Sequence, residues 1–145
     1  MEQIITTVRG FDGALVLAPG PGSDVPEIAW GDAFFYYAPD GEVPRTGQPY
    51  ATIVTKNYPG DELSALETPG RFRVNIQADR DTCRRLTPEP PHDHTAADTL
   101  LPHPVHGDQH WLCVVNPGPR THDTVLRLLR AAHEAARGRY ERRRG

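Results

Sequence analysis

The chain has 145 residues, of which 37% are hydrophobic and 24% charged, and a formal net charge of −3. That length suits one domain (residues 1–145) with one real core. Two Trp, five Tyr and four Phe inside strand-like runs exclude a disordered chain, and no run approaches the ~18 apolar residues of a membrane span. The 15 Pro and 13 Gly cut the chain into short elements with many connections.

Ile4, Ile5 and Val8 share one face of a short helix over 2–9, which Gly10 ends. Ala14–Leu17 is a compact apolar strand, followed by the turn-rich Pro19-Gly20-Pro21-Gly22. Glu27–Trp30 reads as a second strand, turned at Gly31-Asp32, and the aromatic run Ala33–Tyr37 as a third. Pro39-Asp40-Gly41 is a turn, with φ preset by Pro and positive φ tolerated by Gly. Tyr50–Lys56 alternates as a strand with one exposed face should. A short helix is predicted over Asp61–Leu66. Arg71–Ile76 is a strand with Phe72, Val74 and Ile76 pointing one way and Arg71, Arg73 and Asn75 the other. Asp79 caps a helix through Leu86. Residues 87–109 read as irregular and proline-rich, and His110–Val115 as a central strand stopped by Asn116-Pro117. Thr121 caps a last helix whose inward stripe is Val125, Leu128, Leu129, Ala132, Ala135 and Ala136.

Met1-Glu2-Gln3-Ile4-Ile5 lacks the basic start and apolar run of a secretion signal. Cys83 and Cys113 are then expected as free thiols in a reducing cytoplasm. From Arg120 onward eight arginines face only Asp123, Glu134 and Glu141, so an acidic body carries a basic end. Residues 139–145 are expected as a frayed basic tail, the ordinary reading being a solvated helix end, where cations are favoured. The acidic body disfavours a nucleic-acid partner.

Five of seven histidines fall between positions 92 and 110. His92, His94, His103 and His106 could supply three ligands to zinc, iron or copper, but no fixed-spacing metal signature is present, and a polar loop rich in His is the plainer reading. His103 stands apart, because Pro102 and Pro104 fix its backbone and hence its imidazole. It could act as an acid or base or simply close the loop with a hydrogen bond. On the sheet, Lys56, Arg73 and Asn75 fall on outward positions and could form one patch that attracts a carboxylate or phosphate. The plainer alternative is an ordinary polar sheet face with Arg73 paired to an acid. Trp30, Phe34, Tyr36 and Trp111 read as core or as the wall of a groove for an aromatic small molecule. Cys113, inside an apolar strand, is a poor nucleophile.

Three blocks, Pro26–Tyr37, Tyr50–Lys56 and Phe72–Ile76, together with Pro102-His103-Pro104-Val105 and Trp111–Pro117, resemble an uncharacterised family of short actinobacterial proteins, a domain of unknown function. The likeness spans nearly the whole chain, includes His103, and implies no activity. The order of elements is more distantly similar to the MmcQ/YjbR-like group, with Lys56 and His110-Trp111 matching loosely. That likeness implies an antiparallel sheet with N- and C-terminal helices on one face, and either DNA binding or small-molecule binding near antibiotic pathways.

The expectation is therefore an α+β domain that binds a small molecule in secondary metabolism, against the sheet face near Trp30, Tyr36, Lys56, Arg73, Asn75 and His103. Lys56 and Arg73 would hold an anionic group, the aromatics an apolar body, and His103 would orient or titrate. One alternative is an acid/base enzyme using His103, or a metal-assisted one using His92, His94, His103 and His106. Another is a nucleic-acid or partner-binding module using the arginine-rich end. No cofactor and no membrane are expected, and a homodimer is left open.

Overall fold

The structure, a computed structural model, describes residues 1–45 and 47–144. Apolar and aromatic runs build β1 (Ala14–Leu17) and β2 (Ala33–Tyr37), and alternating residues build β3 (Ala51–Val54) and β4 (Arg73–Gln77). Helix α2 (Arg80–Leu86) follows, with the Asp79 carboxylate accepting the Thr82 N–H at 2.7 Å as its cap. A two-residue strand β5 (Leu101–Pro102) and strand β6 (Trp111–Val115) complete one antiparallel sheet in the order β1-β2-β3-β4-β6-β5. β5 is a correction to the irregular stretch expected over 87–109. It lies at the sheet edge, where Pro102 needs no ladder N–H.

Helices α1 (Glu2–Arg9) and α3 (His122–Arg144) cover one face of this sheet. Ile4, Ile5, Val8, Val125, Leu128 and Leu129 pack onto Phe35, Ile53, Val74, Ile76, Leu112 and Val114. Each such large side chain, fully buried, stabilises by about 1.5–3 kcal/mol. The α3 stripe departs from expectation at one position, since Ala135 is exposed and His133 is buried in its place. His133 sits among the rings of Phe11, Tyr37 and Tyr50. Its Nε2 is 2.7 Å from the Asp12 carbonyl and its Nδ1 is 3.0 Å from the Tyr50 hydroxyl, so an imidazole fits an apolar stripe by satisfying both nitrogens. The arginine-rich segment 139–144 is helical, and Gly145 lies outside the described residues.

Two expected elements are replaced. Glu27–Ala29 is a 3-10 turn rather than a strand, opened by Pro26, whose carbonyl accepts the Ala29 N–H. Its Ile28 side chain projects into solvent, with no neighbouring strand to pair. Asp61–Leu66 is a run of turns rather than a helix. Asp61 bridges back to Tyr58 and Ala65 adopts a positive φ of 55°, and the Asp61 carboxylate is directed across to Arg73 instead of capping its own segment. At α3, Thr121 provides the first helical carbonyl and gives its hydroxyl proton to Asp98, which also accepts the Gly118, Arg120 and Thr121 N–H groups.

Candidate functional site

On the face away from α1 and α3, the antiparallel register aligns Phe34, Thr52, Asn75 and Cys113 in one row across β2, β3, β4 and β6. Arg73 stands one pleat along from Asn75. A cavity of about 760 Å³ opens over this row, walled by Phe34, Val54, Pro59, Val105 and Trp111 with Arg73, Asn75 and His103 at its polar end. The loop before β4 and the segment after β5 fold over the row. Arg73 and Asn75 are consequently 1% and 3% exposed, where an open polar sheet face was expected.

Every N–H of the Arg73 guanidinium is directed at a side chain. Nε donates to Asn75 Oδ1 at 2.7 Å, Nη1 to Asp61 Oδ1 at 2.9 Å and Ser64 Oγ at 3.0 Å, and Nη2 to Asp61 Oδ2 at 2.5 Å. The last N–H, on Nη2, faces His103 Nε2 at 3.1 Å. Asn75 in turn donates to Thr52 Oγ1 at 2.9 Å. Arg73 thus donates in two directions, to the Asp61 carboxylate and to Asn75, and on the second branch Asn75 passes the polarisation on to Thr52. Burial works to raise the Asp61 carboxyl, but hydrogen bonding to Arg73 and its charge hold it below the ordinary carboxylate range.

His103 is positioned by its own turn. Its Nδ1 lies 3.0 Å from both the Val105 and the His106 backbone nitrogens, so the imidazole caps the turn that follows Pro104. Burial first, and then the Arg73 charge, push its pKa down to about 3. At neutral pH the ring is uncharged, and the cluster of Asp61, Arg73 and His103 is neutral as a whole.

A family model matches this chain over residues 1–145. The chain belongs to the Family of unknown function (DUF6194). Neither a curated protein nor a solved structure matches it.

Of the six residues singled out in this DUF6194 chain, Arg73, Asn75 and His103 come together at the cavity. Lys56 does not join them. Its Nζ is 3.0 Å from Asp32 Oδ1 and donates to the Trp30 carbonyl at 2.9 Å. Trp30 turns its indole N–H to the Val25 carbonyl. Asp32, 1% exposed, is the hub of this neighbouring cluster, taking also the Thr55 N–H and hydroxyl and the Tyr58 hydroxyl. Tyr36 lines a different cavity, of about 520 Å³, between the segment after β2 and the end of α3. With Lys56 and Arg73 each paired to an acid, the expected two-cation patch does not form.

The histidines also divide. His92 and His94 face each other, as do His103 and His106, and no group of three or more His, Cys, Asp or Glu placed to hold a metal occurs among the described residues. Sequence reasoning missed Asp61, Ser64 and Asp32. None of the three carries a local signal, because the role of each depends on a partner distant in sequence.

Proposed function

We propose that this protein binds a small molecule in the cavity over β3, β4 and β6. The observation that carries the reading is the convergence of polar groups from separate segments on one apolar-walled cavity: buried Arg73 and Asn75 and half-buried Thr52 from the sheet, and buried His103 from the turn after β5. A few fixed polar groups inside a largely apolar concavity of this size are what a ligand site requires. Buried ionic clusters are also costly to maintain for stability alone.

Binding is favoured over acid/base catalysis by His103, because a ring with a pKa of about 3 exchanges few protons near neutrality. The arginine-rich end of α3 supports a nucleic-acid reading less well, since Arg137 pairs with Glu141 and Arg144 stacks on Tyr140. A cytoplasmic setting, an actinobacterial source, a homodimer and the MmcQ/YjbR likeness are compatible with the proposal, which depends on none of them. A fragment screen observed by amide and indole NMR tests it. Aromatic and carbonyl fragments are expected to shift Thr52, Asn75 and Trp111 together. A library that leaves all three unmoved would end the reading.

A further inference from the structure

We infer that the cavity takes an uncharged molecule whose carbonyl or amide oxygen is held jointly by His103 Nε2–H and Arg73 Nη2–H, an inference that rests on the small-molecule reading of the same cavity. Three donors are aimed at one imidazole. Two backbone N–H groups point at Nδ1 from 3.0 Å, and a guanidinium N–H points at Nε2 from 3.1 Å. A neutral imidazole has one lone pair and one N–H. Placing the proton on Nδ1 would oppose it to two amides, whereas placing it on Nε2 opposes it to one guanidinium N–H. The proton therefore sits on Nε2, and two N–H donors converge there.

Asp61 Oδ2 lies 3.9 Å from that Nε2, beyond hydrogen-bond range, and the one polar atom within range among the described residues is the Arg73 nitrogen, itself a donor. His103 is 6% exposed and Arg73 1%, so the two donors are buried with one acceptor too few between them. Both line the cavity, and an oxygen seated between them would satisfy both. Thr52 supports the same end of the site. Its oxygen already accepts from Asn75, which leaves its hydroxyl proton as the terminal donor of the Arg73–Asn75–Thr52 chain.

Charge decides the ligand class. Asp61 already neutralises Arg73 in a bidentate pair, and its Oδ2 lies 2.5 Å from Arg73 Nη2 and 3.9 Å from His103 Nε2. A carboxylate or phosphate placed there would meet that carboxylate in a low-dielectric setting, where like charges repel strongly. A carbonyl oxygen takes the same two hydrogen bonds without the repulsion. The walls of Phe34, Val54, Val105 and Trp111 suit an apolar or aromatic body behind it.

Matched probes test the inference on the intact chain: benzamide against benzoate, and naphthamide against naphthoate, titrated while the His103 ring nitrogens and the Trp111 indole are followed by 15N NMR. The ligand-free protein is expected to show Nδ1 without and Nε2 with a proton, and each carboxamide to bind about tenfold or more tighter than its carboxylate. His103→Asn keeps an acceptor for the turn amides and removes the Nε2–H. It is expected to fold and to weaken carboxamide binding about tenfold, while His103→Gln restores part of the affinity. A proton found on Nδ1, or a carboxylate that binds as well as its carboxamide at the cavity, overturns the inference and leaves the small-molecule reading standing. Probes of both kinds that leave Trp111 and His103 unmoved overturn both.

Discussion

Asp61 meets Arg73 edge to edge, with Oδ1 2.9 Å from Nη1 and Oδ2 2.5 Å from Nη2, although the acid belongs to a loop and the base to a central strand. The pair ties the loop before β4 onto the sheet and so builds one wall of the cavity. Removing one member of a buried pair leaves the other charged and unsolvated, at about 3–5 kcal/mol. The Asp61 side chain is 16% exposed, so water can partly replace it. Asp61→Ala is therefore expected at the low end, about 3 kcal/mol, read as a lower urea midpoint. Asp61→Asn retains one acceptor and should lose less. An Asp61→Ala protein with an unchanged midpoint would show that Arg73 draws no stability from the pair.

The alternation that the pleat imposes made β3 and β4 legible in the sequence, and apolar or aromatic runs made β1, β2 and β6 so. The helices followed from apolar spacing and from caps such as Asp79. What stayed hidden depended on long-range partners. Nothing local says that Asp61 leaves its own segment to reach a strand twelve residues on, or that His133 replaces an alanine in a helix stripe by bonding Tyr50 and Asp12. The polar row on β4 was visible, but its burial was not, since the covering loops carry no periodic signal. Lys56 and Arg73 looked alike as outward cations, and they differ in the acid that lies opposite each and in burial, the Lys56 side chain being 32% exposed and the Arg73 side chain 1%.

Tyr50 and His133 are 83 residues apart in sequence and share a buried hydrogen bond that joins the residue just before β3 to α3. Tyr50→Phe removes the hydroxyl and leaves His133 Nδ1 without a donor, at about 1–3 kcal/mol. His133→Phe removes the ring nitrogens and leaves both Tyr50 and the Asp12 carbonyl unpartnered. The two changes are expected to be non-additive, with the double variant less destabilised than the sum of the singles. Additivity in a double-mutant cycle by urea denaturation would deny the coupling.

Gly13 turns the chain from α1 into β1 at a φ of +75°, and a Cβ there would lie 2.5 Å from Tyr37 Cε1. Tyr37 cannot withdraw easily, since its ring packs against His133 and Tyr140. Gly13→Ala combines backbone strain with a steric clash and is expected to destabilise by about 1–3 kcal/mol. Gly22→Ala shares the positive φ but meets no atom within 4 Å, so it isolates the backbone part and should be the milder change in a thermal melt.

Acid should weaken the fold in two windows with separate origins. His103 has a folded pKa of about 3, set first by burial and then by the charges of Arg73, Asp61, His106 and His94 around it. An unfolded histidine titrates near ~6.5. Between those values the unfolded chain holds a proton that the native one excludes, so this contribution is complete above ~6.5 and is lost as pH falls toward 3. Asp98 behaves as a depressed carboxylate. The Thr121 hydroxyl and three backbone N–H groups bring it to about 2, so its contribution is complete above ~3.9 and fades as pH falls toward 2. Asp61, also held low by Arg73, adds to the lower window. Urea midpoints measured against pH are therefore expected to decline already between pH ~6.5 and ~5, before carboxylates of the unfolded chain begin to take up protons. His103→Asn should flatten that upper decline and keep the lower one. Asp98→Asn should do the reverse, with part of the lower slope surviving through Asp61. An upper slope unchanged in His103→Asn would show that the proton is taken up elsewhere and that the imidazole is not held neutral by its burial beside Arg73.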